Sequence, residues 1–222
     1  MSTGITTFPY RKALLLTAGY ALVYFAASGL DLWTTVLALH RPDTFEGNVF
    51  ATSSGSFDGE KAWLMTDAAG VLMTVLFALG IWYADRMSPD WLRRPIRSFF
   101  YWRFNPLFID FWSRRTRDRA PLHAVSFAIA FAALRLLAAG NNLIIAAGYT
   151  GPLGAAVRAA GRATTPAMGL ILAMGAAYIA LAVLLSPLGA SLLQSLRSKS
   201  DLGPATSWPS RAMTKWRIGG EG

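Results

Sequence analysis

Cysteine is absent from the 222 residues, which excludes disulfides, thiolate metal sites, iron–sulfur clusters and cysteine nucleophiles. Histidine occurs only twice, at His40 and His123, and leaves little for metal or acid–base chemistry. Charge is scarce as well. Charged residues make up 15% of the chain, against about a quarter in a typical soluble domain. Acids are the rarer sign, 12 against 21 Lys and Arg, for a formal charge of +9. Catalytic signatures are missing too: no HExxH, GxSxG, Walker loop or dinucleotide fingerprint occurs. The chain therefore reads as a non-enzyme.

What the chain has in excess is apolar sequence. Hydrophobic residues make up 54%, and the mean hydropathy is +0.37. They gather into four long runs, each of the roughly 20 residues or more that a ~30 Å hydrocarbon core requires. The runs predict spans over 13–39, 62–84, 122–149 and 166–193, with residues 1–12 before them and a tail over 194–222. The first run is too long for a signal-peptide core, and no small-residue cleavage site follows it before His40 and Arg41. The expected fold is all-α, an integral membrane four-helix bundle.

Lys and Arg set the expected orientation. Arg11 and Lys12 precede the first run. Arg86, Arg93, Arg94, Arg97, Arg103, Arg114, Arg115, Arg117 and Arg119 fill the segment between the second and third. Arg197, Lys199, Arg211, Lys215 and Arg217 follow the fourth. Four spans put all of these on one side, against Arg41, Lys61, Arg158 and Arg162 on the other. Both termini and the basic segment are thus expected in the cytoplasm. This placement also makes anionic headgroups, rather than nucleic acid, the partner of the positive charge. The Ala, Gly and Arg richness points to a bacterial inner membrane.

Within the basic segment, Phe99, Phe100, Tyr101, Trp102, Phe104, Phe108, Phe111 and Trp112 cluster between arginines. Pro106 and Asp110 make this stretch a poor span, so it is expected to lie at headgroup depth. Phe100, Trp102, Arg103, Phe104, Phe108 and Trp112 form a candidate docking surface for lipid or another subunit. Trp208 and Trp216 in the tail suit draping on a partner.

Small residues recur every fourth position at Gly70, Thr74 and Ala78, at Ala124, Ala128 and Ala132, and at Gly169, Ala173 and Ala177. Such stripes let membrane helices approach closely. No internal repeat appears, so an inverted-repeat transporter is not supported.

Chemistry in lipid would need ionisable residues, which are costly there. Asp31, Asp67 and Arg135 fall inside predicted spans, joined by Asn141 and Asn142. At ~1.5 Å per residue, all but Arg135 lie in the outer leaflet, about 8–10 Å below the helix ends. Asp31 shares a polar face with Tyr24, Ala27, Ser28, Thr34 and Thr35, and Arg135 shares one with Ala138, Ala139, Asn142 and Ala146. Side chains lean toward a helix's own N-terminus. Asp31 therefore leans toward Arg135, directly or through a water, and Asp67 leans away toward Lys61, an Asn amide or water.

His40 and His123 sit at opposite ends of their helices and cannot clamp one haem iron together. His40, Asp43 and Glu46 form at most a weak metal set that resembles no established motif. No cofactor is expected, and a bound pigment or lipid is left open. Two function classes follow, and a third, an enzyme acting on lipid, has little support. One is a non-catalytic accessory, scaffolding or assembly subunit of a larger membrane complex, for instance an electron-transfer complex. The other is a small transporter or channel using Asp31, Asp67, Arg135 and Asn142.

Overall fold

The computed structural model describes residues 9–41, 52–53, 56–100, 118–162 and 164–197. Among them the chain is almost entirely helical. In order, it forms α1 (Tyr10–Leu39), α2 (Gly59–Trp82), α3 (Pro89–Arg93), α4 (Pro95–Phe100), α5 (Ala120–Ala146), α6 (Pro152–Arg162), α7 (Pro166–Leu184) and α8 (Ser186–Gln194). A two-residue ladder pairs Thr52–Ser53 with Ser56–Phe57 just before α2.

Three helices, α1, α2 and α5, are long and apolar enough to cross a membrane, and a fourth span follows if α7 and α8 count as one. That last stretch is expected as a single helix over 166–193, but it bends by 42° at Leu185. Pro187 is the cause. It lacks an N–H, and its ring clashes with the carbonyl four residues earlier. The Ser186 hydroxyl then donates to the Val183 carbonyl at 2.7 Å across the break.

The short connection over 150–165, which falls between the apolar runs, contains α6. It crosses α7 where Gly169 faces Val157 and Gly161: a Cβ on Gly169 would lie 2.7 Å from Gly161 Cα. The Gly169 stripe thus serves this local hairpin. The described start of the basic segment folds into α3 and α4.

Contacts fix the directions. Tyr10 meets Trp82, Tyr20 stacks on Phe77 with ring centres 4.5 Å apart, and Tyr24 donates to the Thr66 carbonyl at 3.1 Å, so α1 and α2 are antiparallel. Tyr20 donates to the Ala128 carbonyl at 2.9 Å and Asp31 meets Arg135, so α5 runs parallel to α1. Tyr178 packs on Phe127 and Phe131 while Gly189 faces Ser126, so α7 and α8 return against α5. Gly70 makes room for Tyr24 and Phe25 of α1, since a Cβ there would sit 2.6 Å from Tyr24 Cε1.

The buried face of α1 is small or polar (Ala13, Tyr20, Tyr24, Ala27, Ser28, Asp31, Thr34, Ala38), whereas Leu14, Leu22, Val23 and Trp33 point outward. This inverts the pattern of a water-soluble helix. Exposed Trp63 and Trp82 stand 19 residues apart on α2, about 28 Å along its axis, close to the thickness of a hydrocarbon core.

One end of the molecule gathers the start of α1, the end of α2, α3, α4, the start of α5 and the end of α8. Gln194 Nε2 donates to the Leu92 carbonyl at 3.2 Å, Arg197 Nη1 to the Met87 carbonyl at 2.8 Å, and Lys12 Nζ to the Ser195 carbonyl. Arg11, Lys12, Arg86, Arg93, Arg94, Arg97, Arg119 and Arg197 all belong to this end. Arg41, Lys61, Arg158 and Arg162 belong to the other.

Candidate functional site

α1 and α5 run side by side, so a polar face on each meets the other at matching heights. Arg135 Nη1 donates to Asp31 Oδ2 at 3.0 Å, a direct ion pair with no room needed for a bridging water. Both residues lean toward the same end, but the long arginine side chain spans the gap. The Arg135 guanidinium also lies 5.6 Å from the Phe131 ring centre, a cation–π contact that supports it from below.

Asn142 completes the site. Its Nδ2 carries two protons, and it donates to Asp31 Oδ1 at 3.2 Å and to Thr35 Oγ1 at 2.9 Å. Each Asp31 oxygen is therefore held by a donor, and Asp31 itself is buried, 7% exposed. The neighbouring Thr34 hydroxyl turns back on its own helix and donates to the Leu30 carbonyl at 2.9 Å. Toward the basic end the interior is filled by aromatic rings. Tyr24 is fully buried, stacked at 6.0 Å on Phe131, and Tyr178 meets Phe131 edge-on at 5.7 Å. The arrangement is a neutral, closed clamp between two helices. Two polar atoms near it, Arg135 Nε and Ser28 Oγ, are buried without a hydrogen-bond partner among the described residues.

The other sequence-predicted residues are placed elsewhere. Asn141 turns away from Asp31, because adjacent helix residues point about 100° apart. Its Oδ1 instead accepts from Leu153 N at 3.0 Å and caps the start of α6, with Gly151 pressed against it. Asp67 is half-buried on α2 and forms no hydrogen bond or ion pair with any described residue, Lys61 and the Asn amides included. His40 Nδ1 donates to the Val36 carbonyl at 2.7 Å, beside a shallow groove lined by Val36, Leu39 and Phe57. Asp43 and Glu46 lie outside the described residues, and among the described ones no three His, Asp or Glu side chains gather as a metal set.

At the basic end, Phe100 is 71% exposed, whereas its neighbour Phe99 is buried against His123. Trp102, Arg103, Phe104, Phe108 and Trp112 lie outside the described residues. Sequence reasoning missed the Phe131 support under Arg135 and the role of Asn141. The cap had a visible signal in Pro152, the first residue of α6, since proline favours that position. Compared with known proteins, the chain matches no family model, no curated protein and no solved structure.

Proposed function

We propose that the chain is a non-catalytic accessory or assembly subunit of a larger membrane protein complex. In this reading it sits in a bacterial inner membrane with both ends and the basic segment in the cytoplasm. The observation that carries the reading is Asp67. An unpaired ionised carboxylate costs roughly 2.5–3.5 kcal/mol at the centre of a membrane helix, and a smaller amount nearer its end. Asp67 lies only four residues from the exposed Trp63, half-buried and without a partner among the described residues. A hydrogen-bond donor or cation on another subunit's helix would relieve that cost. The Asp31–Arg135–Asn142 clamp supports the same reading, because both carboxylate oxygens of Asp31 are held within it and it acts as register glue.

Purification of the full chain in mild detergent tests this. The wild type is expected to bring down a much larger complex with fixed stoichiometry. Asp67→Leu is expected to lower that recovery several-fold while the melting temperature of the isolated chain holds. A wild type that runs alone as a monomer contradicts the reading.

A small transporter is the second reading, favoured by one observation: Arg135 Nε and Ser28 Oγ are buried at the clamp without a hydrogen-bond partner among the described residues. It requires a homo-oligomer or monomer as the functional unit, and loss of solute flux in Asp31→Asn with expression intact.

A further inference from the structure

α4 is firmly mounted yet turns apolar side chains outward. On its inner side the Ser98 hydroxyl donates to the Pro95 carbonyl at 2.6 Å, so His123 Nε2, 3.2 Å away, donates to Ser98 Oγ. Arg119 Nη1 donates to the Ser98 carbonyl at 2.9 Å, and the Phe99 ring lies 4.3 Å from that of His123. On its outer side stand Ile96, 45% exposed, Arg97 and Phe100. The end of α2 shares this level, because Gly80 packs against Pro121 and Val125 of α5. There Arg86 sits 4.6 Å over the Tyr83 ring. Neither Arg86 nor Arg97 has an acceptor among the described residues.

Ile96 and Phe100 gain by entering acyl chains, and the guanidinium beside them gains by meeting phosphate. Arg offers a planar fork of donors that matches a phosphodiester. Asp85, Asp90 and Asp118 stand at this end but do not balance its arginines. We propose that this level of the molecule binds anionic phospholipid, with Arg97 on a phosphodiester above Ile96 and Phe100, and Arg86 on a second phosphodiester beside Tyr83. The inference goes beyond the subunit reading and stands whether or not a partner complex exists.

Native mass spectrometry of the full chain, in mild detergent with equal phosphatidylglycerol and phosphatidylcholine, reads the preference directly. Phosphatidylglycerol is expected to be retained several-fold over phosphatidylcholine. Arg86→Gln and Arg97→Gln are each expected to cut that ratio by about fivefold. Ile96→Ser combined with Phe100→Ser is expected to lower retention of both lipids alike. Melting of each variant without lipid checks the fold. The wild type gives a reading that needs no variant: raising the salt roughly tenfold must erase the preference, because exposed phosphate contacts are screened. Equal retention of the two lipids by the wild type, a preference insensitive to salt, or one indifferent to both arginines in folded variants overturns the proposal.

Discussion

A carboxylate held at both oxygens inside a bundle depends on both donors. Removing Arg135 leaves Asp31 with a single amide, and removing a partner from a buried ion pair typically costs about 3–5 kcal/mol. Arg135→Leu and Asp31→Asn are each expected to lower detergent melting temperature and yield. The double variant is expected to recover much of the loss, since no uncompensated charge is left. Simple addition of the two losses would contradict the clamp. Gly70 is the other sensitive residue. A side chain there overlaps Tyr24 and Phe25, so Gly70→Leu is expected to destabilise by about 1–3 kcal/mol or more, read by the same melting assay. The clamp was legible in the sequence because polar residues at three- and four-residue spacing leave few choices of partner. Its directness was not, because the reach of an arginine depends on what packs beneath it, here Phe131. Spacing did put Asn142 on the Arg135 face, but it could not show that Asn141 caps α6.

At the scale of elements, the proline positions explain most of what hydropathy missed. Six helices carry proline in the first turn: Pro89, Pro95, Pro121, Pro152, Pro166 and Pro187. That position needs no N–H donor and favours the fixed φ of proline. The long apolar runs revealed α1, α2 and α5, but α3, α4 and α6 are too short or too polar to register as runs. Pro187 likewise marks the break between α7 and α8, which continuous hydropathy conceals. Two outcomes follow. Asn141→Ala removes the cap of α6 and is expected to raise amide hydrogen exchange across 152–162 about fivefold, in line with a cap of ~1 kcal/mol, leaving α1 unaffected. Pro187→Ala is expected to straighten the bend, lengthening a spin-label distance between Ile171 and Leu192 measured by electron paramagnetic resonance. An unchanged distance would place the cause of the bend in packing rather than in proline.

At the scale of the whole molecule, two patterns coincide. Large apolar side chains cover the outside of the long helices, while the buried face of α1 is small, aromatic or polar. Cations crowd one end, where α3, α4 and α8 form a cap. Both patterns follow if hydrocarbon surrounds the bundle and the cationic end faces the cytoplasm. The absence of cysteine makes that orientation easy to test, because a single introduced thiol has no background. The decisive measurement labels intact cells with a membrane-impermeant maleimide, using Arg158→Cys on α6 and Asp90→Cys on α3. The account predicts that Arg158→Cys is labelled from outside and Asp90→Cys only after permeabilisation. Labelling of Asp90→Cys in intact cells, with Arg158→Cys protected, would contradict it.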